Sequence, residues 1–340
     1  MWKRANVVLK LKSPLHIGYL PSKGSVISPT RYYVPGRNFW GAVTKRITES
    51  IWGNLRSEEI GGKYKEIGLQ VAKTFRFSYF YLFDGDTLYL PRFTENGLRY
   101  GAGEKGITRF EFERRFIGSV VSTAIDHDTQ AAMEGKLHEI EFINNKYLDS
   151  GGKVRDSKIA GCIWIKEDEK FGDKEIMLDR EGIFISDVNV VEELIIGGES
   201  KYGFGHVILD SINKQELKDF LPALWQDPDN IKLNKSSYTH SISQNENVYL
   251  PSHMKYGGKV RFKGEIELIS GIGYYYPTSH LTESVVSNAA SSACSNKSSN
   301  TLANPECCIA PGSKLELEND LRLVSCWDGV LRENSNRTGE

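Results

Sequence analysis

Residues 194–207 read LIIGGESKYGFGHV: an apolar run, a loop with four glycines in nine residues, and the start of a strand. Glycine reaches backbone angles that other residues avoid and lets another backbone approach closely. We therefore expect a loop whose NH groups face a ligand, with Lys201 and Tyr202 at its tip. Clustered NH groups and a lysine form an anion site that suits a phosphodiester chain. The alternative is an ordinary glycine-rich turn, and the loop fits neither a dinucleotide-binding nor a Walker pattern.

Charge is unevenly distributed along the 340 residues. The net charge is −1, but residues 1–120 hold 20 Lys+Arg against 10 Asp+Glu, whereas residues 121–340 hold 23 against 34. A basic N-terminal third with many aromatic residues is typical of a nucleic-acid surface. The same charge would also suit docking on an acidic protein.

The sequence carries no sign of a membrane, a metal or a cofactor. No apolar run approaches the roughly 18 residues of a membrane span, and no signal-peptide pattern is present, so we expect a cytoplasmic protein. Only Cys162 lies in the body of the chain, while the other four cysteines fall in the last 47 residues without zinc-ligand spacing. We therefore expect neither a metal site nor a cofactor.

Apolar periodicity predicts an α+β fold. Asn6 to Lys12 alternates as a half-buried strand, and Phe39 to about Trp52 has the spacing of an amphipathic helix. Further segments are predicted to form strands at 71–83, 119–125, 135–142, 159–166 and 206–209, and a helix over 187–195. This order fits a ferredoxin-like core with insertions.

Composition divides the chain into three parts. Residues 1–212 hold the predicted ferredoxin-like domain, and residues 213–284 form a second small region with a clear strand at 259–270. Residues 285–340 are rich in serine and asparagine and carry little patterned apolar content, so a disordered tail is predicted.

Residues 91–118 interleave basic and aromatic side chains and are predicted to form a loop-like segment. Such a mixture suits phosphates and bases together, and a solvated, salt-bridged hairpin is the alternative. The basic members are Arg92, Arg99, Lys105, Arg109, Arg114 and Arg115, and the aromatic members are Phe93, Tyr100, Phe110, Phe112 and Phe116.

Several motifs occur in the order found in one protein family. SPLHIG (13–18) precedes YVPGRNFWGAV (33–43), STAIDHDTQAAMEGKLHEIEFI (122–143) follows, and GGESKYGFGHV (197–207) comes last. Together they resemble the RAMP superfamily of CRISPR-associated proteins, particularly subunits of type III effector complexes. The matched motifs span about residues 5–210.

The resemblance implies a modified RRM-like, ferredoxin-like fold and an RNA-binding subunit whose partners are a CRISPR guide RNA, its target RNA and other RAMP-family subunits. Because the chain departs from the family pattern in the loop at residues 19–33, we expect this subunit to be non-catalytic. It implies that the glycine loop and the start of the PGRNFWG helix face the guide, and that an inserted hairpin contacts bases or neighbouring subunits. The candidate RNA-binding residues are Ser13, His16, Arg31, Gly36, Arg37, Asn38, Lys45, Arg114, Arg115, Gly197, Gly198, Lys201, Tyr202, Gly203 and Gly205.

Two other functions remain open. A RAMP-type endoribonuclease could process guide RNA or cleave target RNA through His16 or Asp126, the two weak catalytic candidates. However, residues 19–33 contain no Asp or Glu, where cutting members of the family carry an aspartate, and His16 has no evident partner. The third function is a subunit that mainly docks on proteins through its acidic half.

Overall fold

The computed structural model describes most of the chain. The described residues are 2–19, 25–54, 57–101, 106–166, 169–213, 222, 232–234, 237–242, 248–258, 260–269, 272–273, 301–302 and 306–333. Within them the fold is α+β, with strands predominating.

Three α-helices occur among the described residues: α1 (Gly36–Trp52), α2 (Ser57–Thr74) and α3 (Arg109–Phe116). The predicted first helix is confirmed, although it begins three residues earlier than expected. On its apolar face, Phe39 and Val43 are fully buried and Ile51 is half-buried. The second helix was not predicted, because Gly61 and Gly62 indicated a turn.

Strands account for most of the remaining structure. In the first half they are β1 (Trp2–Leu11), β2 (Ile27–Ser28), β3 (Tyr33–Val34), β4 (Phe75–Phe77), β5 (Phe80–Phe83), β6 (Pro91–Thr94), β7 (Gly97–Tyr100), β8 (Ile107–Thr108), β9 (Ile117–Ser122), β10 (His138–Ile143), β11 (Lys146–Leu148), β12 (Val154–Asp156) and β13 (Lys158–Lys166). In the second half they are β14 (Lys170–Phe171), β15 (Lys174–Leu178), β16 (Ile183–Ile185), β17 (Val188–Asn189), β18 (Glu193–Ile195), β19 (His206–Ile212), β20 (Lys232–Asn234), β21 (Ser237–Ile242), β22 (Met254–Lys255), β23 (Arg261–Lys263), β24 (Ile266–Ile269), β25 (Ile272–Gly273), β26 (Thr301–Leu302), β27 (Glu306–Ile309), β28 (Lys314–Glu316), β29 (Leu321–Ser325) and β30 (Leu331–Glu333).

The central sheet has the order β18-β19-β1-β13-β5-β3, and β4 also pairs with β13. All of these pairs are antiparallel. Strand β1 lies in the middle, so Leu9 faces Ile159 on one side and Leu209 on the other. The glycine loop connects β18 to β19 and is therefore held at the end of this sheet.

Both faces of the central sheet are buried. On one face, Val7 and Leu9 of β1 pack in the same core as Phe39 and Val43 of α1. On the other face, Val8 packs in a second core rich in tyrosine. The second face is covered by the C-terminal part of the chain, because Tyr81 donates to the Pro251 carbonyl at 2.8 Å.

The expectation of a disordered tail is wrong for residues 306–333. Strands β27, β29 and β30 belong to a seven-stranded sheet of order β20-β21-β29-β30-β22-β27-β24. Trp327 is 5% exposed and joins the core of the N-terminal sheet, with its ring 4.9 Å from that of Trp40. Tertiary contacts therefore order a segment whose composition did not indicate it. Residues 285–300, 303–305 and 334–340 lie outside the described residues.

Three local predictions are also wrong. The segment 71–83 is not one strand, because α2 extends to Thr74 before β4 and β5 begin. Residues 91–101 and 106–118 are not a loop: they hold β6, β7 and β8, then α3 and the start of β9. Two strands, β17 and β18, replace the helix expected over 187–195, which agrees with the low helix propensity of its valines. The ferredoxin-like core stays a prediction, because two strands stand where its second helix was expected. The division at residue 212 also stays a prediction.

Candidate nucleic-acid interface

The glycine loop packs directly on the SPLHIG segment. The Gly198 NH donates to the His16 carbonyl at 2.9 Å, and the Gly205 NH donates to the Pro14 carbonyl at 2.8 Å. A Cβ added at Gly197 would collide with the His16 carbonyl oxygen, and Gly197 has a φ of 85°. These glycines are therefore required for the close approach of two backbones. The structure brings together two of the motifs that the sequence separates by about 180 residues.

The tip of the loop remains exposed. Residues Ser200–Tyr202 form a 3-10 turn that ends at Gly203, whose φ is 84°. Lys201 is exposed, and the Tyr202 side chain is 71% exposed. The NH groups of Gly198, Tyr202, Gly203 and Gly205 donate within the protein, whereas the side chains of Lys201 and Tyr202 are exposed at the tip.

Ser13 and His16 hold this arrangement together. The His206 NH donates to Ser13 Oγ at 3.0 Å. His16 is 3% exposed, with Nδ1 2.6 Å from the Glu141 carbonyl oxygen and Nε2 3.4 Å from Ser28 Oγ. The carbonyl fixes the Nδ1–H tautomer. In the described part of the chain, His16 therefore links the SPLHIG segment to β10 and β2, which is a structural position.

An edge contact between two rings extends the loop towards the β9–β10 hairpin. The rings of Phe204 and Phe142 lie 5.4 Å apart at 64°. Sequence reasoning did not identify this pair, and no signal in the sequence links a loop residue to a strand 62 positions earlier.

The start of α1 is covered rather than open. A Cβ at Gly36 would lie 2.6 Å from the Phe77 carbonyl oxygen and 2.9 Å from that of Asp328. The Asn38 NH donates to the Pro35 carbonyl at 3.0 Å. Arg37 is half-buried, and its Nη1 is buried without a hydrogen-bond partner among the described residues. The contacts of Gly36 therefore lead to the C-terminal segment and not to the glycine loop.

The other basic candidates differ in how exposed their side chains are and in whether they have partners within the protein. Lys45 is exposed and lies 3.8 Å from Glu49. Arg31 is 1% exposed and its guanidinium is bound to Glu267. Arg115 donates to the Tyr89 hydroxyl at 2.7 Å and lies over the Tyr147 ring. Arg114, by contrast, is exposed.

Asp126 lies in a turn of the insertion between β9 and β10. Its Oδ1 accepts from the Thr129 NH at 2.8 Å, from the Thr129 hydroxyl at 2.8 Å and from the Asp128 NH at 3.1 Å. The hydrogen bonds from Thr129 and Asp128 lower the pKa of this carboxyl. An ionised turn-capping carboxylate has little basicity, so this geometry describes a turn rather than a catalytic base.

The described residues contain no cluster of three or more His, Cys, Asp or Glu that could hold a metal ion. Among these same residues, no helix is long and apolar enough to cross a membrane. The four cysteines that the structure describes are free thiols.

No family model matches the sequence, and neither does any curated protein. Solved structures give low-identity matches to chains of the Type III-B Cmr-beta complex. In the cryo-EM structure bound to cognate target RNA, the similar chain is 12% identical, with a TM-score of 0.44 over 92% of this chain and 86% of that one. In the structure with cognate target RNA and AMPPnP (state 1), the similar chain is 11% identical, with a TM-score of 0.45 over 97% of this chain and 99% of that one. In the apo state it is 12% identical, with a TM-score of 0.39 over 63% of this chain and 98% of that one. With TM-scores below 0.5, these similarities do not establish a function for this chain.

Proposed function

We propose that this chain is an RNA-binding, non-catalytic subunit of a type III-like CRISPR effector ribonucleoprotein. It holds guide RNA at the glycine loop, with Lys201 and Tyr202 facing the sugar-phosphate chain. The observation that carries this proposal is the hydrogen-bonded packing of residues 197–205 on residues 13–18. Two motifs that resemble the RAMP superfamily meet there, and they leave a lysine and a tyrosine exposed at one point.

The chemistry at the tip suits RNA. A lysine supplies a charge for phosphate, and an exposed tyrosine supplies a ring for a base. Arg114 and Lys45 are exposed candidates for further phosphate contacts. Arg31 and Arg115 instead bind partners within the protein and stabilise the fold. The basic N-terminal third supplies the long-range attraction that a polyanion requires.

Contacts with other subunits are assigned to the β9–β10 hairpin. It carries an unusual number of exposed apolar side chains, and such surfaces mark protein interaction sites. The exposed residues on the hairpin and its insertion are Val120, Val121, Ile125, Met133 and Leu137, and Val26 and Ile27 continue the surface at β2.

The test is binding of a guide-length, fluorescein-labelled single-stranded RNA, followed by anisotropy between about 50 and 200 mM salt. Lys201→Ala is expected to weaken binding and to reduce the salt slope by about 0.7, the value for one phosphate contact on a single strand. Lys153→Ala, on the exposed β11–β12 hairpin, removes the same charge elsewhere and should leave the affinity and the salt slope unchanged. Equal behaviour of the two variants would reject the glycine loop as the RNA site.

A further inference from the structure

Helix α3 presents one aromatic ring to solvent beside an unpaired cation. Phe110 is 71% exposed, and Arg114, four positions later, lies on the same face of the helix and is also exposed. Phe112 and Phe116, on the opposite face, are fully buried. Of the aromatic residues in the basic–aromatic segment 91–118, Phe110 is the one with a large exposed side chain in the described range.

The exposure of Phe110 does not come from a loosely held helix. Thr108 and Glu111 form a reciprocal capping box, with the Thr108 NH donating to Glu111 Oε2 at 2.7 Å. On the buried side, the Phe112 ring stacks on Tyr100 at 4.3 Å and 25°. The helix is therefore held by its cap and its core contacts, and Phe110 is presented at a fixed position without contributing to them.

The charges around Phe110 leave one cation free. Glu111 is occupied by the helix cap, and Glu113 accepts from Arg109 Nε at 2.6 Å and from the Tyr32 hydroxyl at 2.7 Å. No ion pair is formed by Arg114 with any residue that the structure describes. An exposed ring with a free guanidinium one helical turn away matches a base and its neighbouring phosphate.

A continuous set of contacts joins α3 to the glycine loop. The Asn144 NH donates to the Phe116 carbonyl at 2.8 Å, at the end of α3. Just beyond it, Gly118 lies against the Phe142 ring, since a Cβ there would be 2.8 Å away. That ring meets Phe204 of the loop. A helix rises about 1.5 Å per residue, so Phe110 lies about 9 Å along the helix axis from Phe116, where this set of contacts begins.

We propose that Phe110 and Arg114 form a stacking platform for one base of single-stranded RNA, with the guanidinium on the adjoining phosphate. This inference rests on the proposed RNA-binding function. The surroundings favour RNA over an apolar protein groove. Phe110 is flanked by the charged residues Arg109, Glu111 and Arg114 rather than by further apolar side chains, so it is not part of a large apolar patch.

The experiment compares four variants by anisotropy with labelled oligouridine. Phe110→Ala and Phe110→Leu are expected to weaken binding about five- to hundredfold, the range for losing one base–aromatic stack. Phe110→Tyr retains a ring and should bind like the native protein. Arg114→Gln should weaken binding and reduce the salt slope. Thermal unfolding should be unchanged in all four, because both positions are exposed.

A second oligomer with abasic sugars in place of all bases separates stacking from charge. Phe110→Ala should then bind like the native protein, whereas Lys201→Ala should still be weaker. Three results would overturn the platform: unchanged binding by Phe110→Ala, full retention by Phe110→Leu, or an equal loss on the abasic strand. If Phe110→Ala binds unchanged while Lys201→Ala still weakens binding, the stacking platform is wrong but the proposed RNA-binding function stands. If the native protein does not bind RNA, the proposed function fails with it.

Discussion

The Arg31 guanidinium donates to the Glu267 carboxylate, Nε to Oε1 at 2.7 Å, across 236 positions of the chain. Glu267 also accepts from the Tyr33 hydroxyl at 3.0 Å and lies 2.8 Å from His253 Nε2. His253 in turn meets the Tyr79 hydroxyl at 2.8 Å through Nδ1. This buried polar network joins the central sheet to the C-terminal strands.

Removing one member of the pair should destabilise the fold strongly. Glu267→Ala leaves the Arg31 charge buried without its partner, which costs about 3–5 kcal/mol of unfolding free energy. Glu49→Ala, which breaks the exposed pair with Lys45, should cost about 0–1 kcal/mol. Urea denaturation followed by tryptophan fluorescence measures both. Similar midpoints for the two variants would show that the network does not stabilise the native state.

The same network should make stability depend on pH. Burial raises the pKa of Glu267, but hydrogen bonds and charge from His253 and Arg31 outweigh it and lower the pKa to about 2. Burial lowers the pKa of His253 below 6.5, partly offset by Glu267. Below pH 6.5 the unfolded chain takes up a proton at His253 more readily than the native protein. Below about pH 4.5 the unfolded chain also takes up a proton at the Glu267 carboxylate more readily than the native protein does.

Stability is therefore expected to fall as pH decreases from about 6.5, and further from about 4.5 towards 2. Urea midpoints at a series of pH values test this. In Glu267→Gln the part of the decrease below pH 4.5 should be smaller than in the native chain, after the lower overall stability is taken into account. A native and a variant profile of identical shape would assign the acid sensitivity to other carboxyl groups.

Glycines in two helices should respond to alanine with opposite signs. At Gly36 a Cβ would lie 2.6 Å from the Phe77 backbone oxygen and 2.9 Å from that of Asp328, and backbone atoms shift less easily than a flexible side chain, so Gly36→Ala should be destabilising. At Gly62 in α2 nothing lies within 4 Å, so Gly62→Ala should stabilise by about 0.5–1 kcal/mol through helix propensity. Thermal melts of the two purified variants give the sign directly. A stable Gly36→Ala protein would show that the approach of Asp328 to α1 is dispensable.

Trp327 should be essential for stability although it follows a polar, serine-rich stretch of sequence. Its side chain lies in the same core as Trp40 of α1. Trp327→Ala removes a buried indole and should cost about 3–5 kcal/mol. Leu148→Ala, where the side chain is 61% exposed, should change stability little. A Trp327 variant with a native melting temperature would contradict the packing of residues 306–333 on the N-terminal core.

The purified chain is expected not to cut RNA. His16 is buried between two strands, and Asp126 is an ionised turn cap. Labelled guide-like and target-like RNAs should therefore remain intact with Mg²⁺, Mn²⁺ or EDTA. Metal-independent cleavage abolished by His16→Ala in a folded protein would support the histidine nuclease. Metal-dependent cleavage abolished by Asp126→Asn would support the metal nuclease instead.

Periodicity identified the elements that have one buried face along a continuous segment, such as β1, β13 and α1. It missed α3, although Thr108 and Glu111 have the spacing of a capping box that marks a helix start. The order of residues 306–333 was not predictable in this way. Their buried leucines lie in separate strands of three to five residues, and they form a core with Leu250 and Met254, more than 60 residues earlier in the chain.

The candidate site was predicted in part. Composition alone placed Lys201 and Tyr202 at the tip of the glycine loop, and the structure leaves both exposed. Composition could not separate exposed arginines from buried ones, because the partners of Arg31 and Arg115 lie far away in the sequence. A single sequence does not show such pairs.

The position of β1 in the sheet has a consequence for synthesis of the chain. Leu9 pairs with Leu209, 200 residues later, so the second edge of β1 stays open until β19 has left the ribosome. At about 5–20 residues per second, that interval is roughly 10–40 s. During it a strand with the apolar residues Val7, Leu9 and Leu11 offers an unpaired edge to other nascent chains. We therefore expect the yield of folded protein to depend on chaperones that shield the first strand until its last neighbour is made.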